Sequence, residues 1–197
     1  MYVSECCRVD APCIVVDPAS DHLSGATDLS DQCNDRTRLA DLLDLHDGRL
    51  GIPLLDDAGV REVLHSARRI AIVGASNDPT RPSNGVLRDL RSFGYEIVPV
   101  NPNEATVDGL TCYPDLPAAV DATGPFDIVD VFRRADQCPA HAREAVATGS
   151  ACLWLQLGVA NREAGRIAID GGLKVVMDRC TSIEVHKMGR AGGAGAS

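Results

Sequence analysis

Five short apolar runs constrain this chain more than any other feature. Each ends in a glycine or a polar cluster, and helical periodicity separates one from the next. They read RIAIVG (69–74), EIVPVNP (96–102), DIVDVF (127–132), CLWLQLG (152–158) and LKVVMDRC (173–180). Runs of this length without polar alternation suit strands buried on both faces. Between the first two, Val86, Leu87, Leu90 and Phe93 recur on one helical face and stop at Gly94. The segment from Ala135 to Thr148 stops at Gly149, and NREAGRIAIDGG (161–172) closes on a glycine pair. A further helix precedes the first strand, where Val60, Val63, Leu64 and Ala67 follow the acids Asp56 and Asp57. The intervening DGLTCYPDLPAAV (108–120) reads as turns. Crossovers of this length pair strands in parallel. The expected fold is a doubly wound, Rossmann-like α/β domain: a five-stranded parallel sheet with helices on both faces.

Ligands bind such sheets at the carboxyl ends of the strands, where strand order reverses. The five run ends carry Gly74-Ala75-Ser76, Asn101-Pro102, Phe132-Arg133-Arg134, Gln156-Leu157-Gly158 and Asp178-Arg179-Cys180. The first of them starts like a dinucleotide-binding turn, yet the stretch after Gly74 is ASNDPTRPSNGV, without the usual glycine triplet. A diphosphate needs a helix N-terminus, backbone amides and preferably a cation. Gly74 permits close approach, Ser76 and Ser83 offer hydroxyls, and Arg81 offers a guanidinium fork. The bland reading of the same residues is a surface turn. At the end of the second strand an NAD enzyme places a carboxylate for the ribose. Asn101 stands there instead, followed by Pro102. An amide fits a phosphorylated ribose, whether of NADP or of a 3′-phosphorylated adenosine such as that of coenzyme A, and the residues alone leave both open.

GAS followed by RPS, then VPVNP, DIVDVFRR, WLQLG and VVMDRC, in this order and spacing, resemble the bacterial CoA-binding domain family. That family is related to the nucleotide-binding domain of the succinyl-CoA synthetase alpha subunit. The resemblance spans roughly residues 55–188 and implies a Rossmann-like fold with coenzyme A across the strand ends. Carried over residue by residue, it implies a glycine turn at Gly74, Ala75 and Ser76 and a phosphate loop at Arg81 and Ser83. It also implies the pair Asn101 and Pro102, then Phe132 and Arg133, then the Gln156–Gly158 turn. The family itself implies no reaction. One departure is Thr181, where a proline is expected after Cys180.

The ligase relatives carry a phosphorylated histidine on a glycine-rich loop. Here His22 and His46 precede the domain, His65 and His141 fall on helices, and His186 follows the last strand. With no P-loop and no room for a nucleotide-grasping domain, the expectation is binding of coenzyme A or an acyl-CoA without complete catalytic machinery. An NADP-linked oxidoreductase and a redox-responsive regulator are the alternatives. Cys180 is the one thiol expected near the crevice, more as a half-buried bystander than as a nucleophile. Trp154 is expected in the core, and Asp127 and Asp130 as a strand start and a structural or site-edge carboxylate.

Outside the domain, residues 1–54 read as an irregular N-terminal extension with one short helix over 38–45, and 189–197 as a disordered, glycine-rich tail. The net charge of -9 disfavours a nucleic-acid surface. Six of those negative charges fall in residues 1–50, away from the proposed crevice. No run approaches the ~20 apolar residues of a membrane span. The eight cysteines form no CxxC or zinc-ligand spacing. With no leader pattern at the start, they are expected as reduced thiols in a cytoplasmic protein that binds a small molecule.

Overall fold

The computed structural model describes residues 29–189. Expectations for residues 1–28 and for the tail from 190 onward lie outside the described residues. The five apolar runs become β1 (Arg69–Val73), β2 (Glu96–Val100), β5 (Ile128–Val131), β6 (Cys152–Leu155) and β7 (Lys174–Val176). They form one all-parallel sheet in the order β2-β1-β5-β6-β7. The order reverses between β1 and β5, where Val73 lies level with Val131. This is the switch point at which an open α/β sheet forms its crevice.

Helices α2 (Asp57–Ser66), α3 (Pro82–Ser92) and α7 (Thr181–Lys187) cover one face, where Leu64, Leu87, Leu90 and Val185 pack with Ile72 and Trp154. Helices α4 (Leu116–Thr123), α5 (Cys138–Ala147) and α6 (Arg162–Asp170) cover the other, over Val131, Leu153 and Val175. Alternate residues of each strand feed the two cores, so β5 sends Val129 and Val131 one way and Ile128 and Asp130 the other. Asp127 immediately precedes β5, and its carboxylate accepts from the backbone amides of Arg68 and Arg69 at 2.8 and 2.9 Å. Trp154 is fully buried and donates from Nε1 to the Arg179 carbonyl at 2.6 Å.

The structure differs from the sequence expectation in three places. The segment expected as turns holds a two-residue hairpin, β3 (Thr106–Val107) with β4 (Leu110–Thr111), and then α4. Asp115 nucleates that helix by accepting from the Ala118 amide at 2.8 Å, with a proline in the first turn. Helix α7 follows Cys180 directly.

The described part of the N-terminal extension is mostly helical. Helix α1 spans Leu29–His46, well beyond the short helix expected over 38–45. Its apolar pattern is weak, and it is held by contacts from distant residues. The Asp44 carboxylate meets Arg162 Nη2 at 2.6 Å, Asp41 accepts from the Arg162 amide at 2.8 Å, and Leu42 and Leu45 pack against the core. A helix stabilised by tertiary partners leaves little local signature.

Candidate functional site

The carboxyl ends of the strands surround an open cleft of about 650 Å³. Its floor begins at the switch point. Gly74 ends β1 with a φ of +86°, and a Cβ there would stand 2.5 Å from the Phe132 carbonyl oxygen. Only glycine therefore lets the ends of β1 and β5 close on each other. Phe132 and Arg133 leave β5 at this seam and both line the cleft.

Helix α3 opens onto the same space. Pro82 occupies its first turn, and the residue before it, Arg81, supplies no side-chain cap. Ser83 is 3% exposed, lines the cleft and has no hydrogen-bond partner among the described residues. The residue is packed in, but its hydroxyl is not sealed off and opens onto the cleft, beside a helix end whose dipole favours an anion. The loop before it is folded on itself: the Asp78 amide donates to Ser76 Oγ, and Asn84 Nδ2 donates to the Ser76 carbonyl at 2.9 Å.

Four arginines line this cleft of an acidic protein: Arg38, Arg81, Arg133 and Arg134. Arg81 is well exposed, with Nε 3.9 Å from an Asp78 oxygen. That contact is at the limit of an ion pair and both groups are well solvated, so it holds Arg81 weakly. The Asp78 carboxyl lies below its ordinary pKa chiefly because the Thr80 hydroxyl and amide donate to it, with Arg81 contributing less. Arg134 has a carboxylate neighbour in Asp136 at 3.2 Å. Arg133 has no carboxylate within 4 Å among the described residues; its contact is to Asn101 Oδ1 at 3.4 Å.

Asn101 lines the cleft, but both ends of its amide serve the rim. Nδ2 donates to the Ala75 carbonyl at 2.7 Å, and Oδ1 accepts from the Asn103 amide and from Arg133. Gln156 is committed underneath. Its Nε2 donates to both Asp130 oxygens at 2.8 Å and to Thr181 Oγ1 at 2.9 Å, and the Thr181 hydroxyl donates to Asp130 at 2.8 Å. Asp130 is wholly buried, with no cation in ion-pair range among the described residues. Burial pushes its carboxyl from 3.8 up to about 7, against the lowering effect of the two donors.

The cleft thus brings together Gly74, Ser76, Arg81, Ser83, Asn101, Phe132, Arg133 and Gln156 from the sequence candidates. Three stand back from it. Ala75 is fully buried, and its carbonyl meets Asn101. Pro102 lines a neighbouring hollow of about 390 Å³, which shares Arg133 and Asn103 with the cleft. Gly158 donates its amide to Asp178 and accepts from Arg38, so its backbone is already engaged.

Sequence reasoning missed Arg38, Asn103 and Ile183 as lining residues. Asn103 adjoins residues it chose, but nothing in the pattern connected Arg38 to Gly158, 120 positions away. Cys180 lines the cleft, half-buried, whereas the thiols of Cys138 and Cys152 are buried and pushed up to about 12. His186 packs edge-on against Phe93 and its Nδ1 meets the Ser182 carbonyl. Among the described residues no cluster of His, Cys, Asp and Glu could hold a metal, and no helix is long and apolar enough to cross a membrane.

A family model described as CoA binding domain matches residues 68–186. The uncharacterized protein YneT of Bacillus subtilis (strain 168) is 38% identical over 126 residues, which are 64% of this chain and 91% of that protein. A hypothetical protein from Pyrococcus horikoshii OT3 has a similar solved structure, with a TM-score of 0.64 at 34% identity, covering 68% of this chain and 92% of its own. A structure from Thermus thermophilus gives a TM-score of 0.63 at 34% identity, over 68% of this chain and 99% of that one. Helices α1 and α2 precede the residues matched by the family model.

Proposed function

The chain belongs to the CoA-binding domain family, and from that premise we propose that its cleft binds coenzyme A or an acyl-CoA as a small-molecule binding module. In this reading the diphosphate sits at the start of α3, facing Ser83 and Gly74, with Arg133 and Arg81 as its cations. The adenosine lies toward the end of β2, near Asn101 and Asn103, following the general placement of the nucleoside in such sheets. The pantetheine arm then runs across the ends of β5 and β6. Asp130 and Thr181 hold Gln156 in the floor and are positioning groups.

The observation that carries this reading is the Ser83 hydroxyl, which opens onto the cleft at a helix N-terminus without a side-chain cap and has no partner among the described residues. It is a donor available to a ligand's anionic oxygen. The same groups suggest no complete set for acyl or phosphoryl transfer, so we assign binding rather than turnover, in the cytoplasm and without nucleic acid or membrane as partner.

Calorimetry with CoA, 3′-dephospho-CoA and NADPH tests the assignment. CoA binds, and Ser83→Ala weakens it about tenfold or more, the value of one hydrogen bond to a charged acceptor. The melting temperature of the unliganded variant stays level or rises, because the hydroxyl satisfies nothing inside the protein. Tight NADPH binding with CoA silent would overturn the proposal.

A further inference from the structure

Arg38 reaches the cleft from α1, outside the residues matched by the family model. Its Nε donates to the Gly158 carbonyl at 3.1 Å, which fixes the plane of the guanidinium. The two terminal amino groups have no partner among the described residues, and no carboxylate lies within ion-pair range of them. A guanidinium anchored through Nε presents those amino groups as a fork matched to a carboxylate.

Apolar side chains line the same cleft. Leu157 and Ile183, 62% and 47% exposed, line the cleft with Val159. They are two of the four exposed large hydrophobics among the described residues, and the other two, Leu39 and Leu43, are on α1 itself. Water-facing leucine and isoleucine in the same cleft as an arginine with two free amino groups describe a place for an alkyl chain that ends in an anion.

Its position follows from the sheet order. With the diphosphate at the end of β1 and the adenosine toward β2, the pantetheine arm has one direction left, over β5 and β6 toward β7. Three strand spacings, about 14 Å, separate β1 from β7. The thioester end therefore arrives among Leu157, Ile183 and Cys180, with Arg38 beyond.

We propose that the far end of the cleft is an acyl pocket selecting CoA thioesters whose acyl chain ends in a carboxylate, and that Arg38 pairs with that carboxylate. The proposal rests on the CoA-binding reading of the cleft. Butyryl-CoA and succinyl-CoA have four-carbon acyl groups that differ in a terminal methyl or carboxylate, so their affinity ratio isolates the pair. Calorimetry on the full chain is expected to show succinyl-CoA binding about five- to tenfold tighter than butyryl-CoA. Arg38→Gln abolishes that preference and leaves the affinity for free CoA unchanged. Arg36→Gln, which removes the same charge from the same helix, keeps the preference. Equal binding of the two thioesters by the wild type, a preference that survives Arg38→Gln, or one lost equally in Arg36→Gln overturns the proposal while CoA binding stands. Failure of CoA itself to bind overturns the reading beneath it, and the pocket falls with it.

Discussion

Replacing Asp130 with asparagine should change how stability depends on pH, by an amount the structure sets. The carboxyl is fully buried in β5 and has two donors, Gln156 and Thr181, but no cation among the described residues. Its pKa rises from 3.8 in the unfolded chain to about 7 in the fold. The folded state therefore binds the proton more tightly than the unfolded state does. Its contribution to stability is complete below the unfolded value and is lost as pH rises through the folded one. At about 1.4 kcal/mol per pH unit, the loss between about pH 5 and about pH 8.5 is about 3 kcal/mol.

Asparagine keeps the shape and does not ionise. Urea unfolding of wild type and Asp130→Asn across that range cancels every other titrating group, leaving Asp130 in the difference. The variant is less stable or equal at the acid end, where it forfeits part of a satisfied network worth about 1–3 kcal/mol. It gains on the wild type as pH rises to about 7 and levels off above that. A difference that stays flat within about 0.5 kcal/mol across the range would refute the argument, because a carboxylate ionised throughout cannot be desolvated in the way described.

Two further substitutions test the frame around the cleft. Gly74→Ala places a Cβ 2.5 Å from the Phe132 carbonyl at a φ of +86°, and thermal unfolding should show a loss of at least about 2 kcal/mol. Arg162→Ala removes the contacts to Asp41, Asp44 and the Leu50 carbonyl. Amide exchange in residues 35–46 should then speed up at least about tenfold while exchange in β1 and β5 stays the same, since opening of this segment becomes local.

The sheet was legible because its strands are buried on both faces and so cannot hide as amphipathic elements. Val129, Leu153 and Val175 are apolar for that reason, and the chain must change character wherever a strand reaches solvent. The strand-end clusters were legible for the same cause, and nine of their residues line one cleft. Periodicity failed where stability comes from partners far along the chain. Helix α1 is fastened through Arg162 and through His46 to Asp178, and no window around Arg38 contains either contact. It failed also at α4, whose capping Asp115 and Pro117 look like turn residues until Leu116 and Ala119 are seen to be buried. Within the site, residue type suggested that Asn101 faces the ligand. Its amide also ties the ends of β1, β2 and β5 together, a role fixed by strand order and hence invisible before the topology is known.

The contact between Gly74 and the Phe132 carbonyl has a mechanical consequence. Two loops that meet with no side chain between them cannot slide independently, so the base on which a diphosphate would rest is stiff. Adaptation to guests of different length then falls to the outer walls, to α1 on its tether of ion pairs and to the short α7. Relaxation measurements on the free protein should find slow motion concentrated in those two helices and little at the β1–β5 seam.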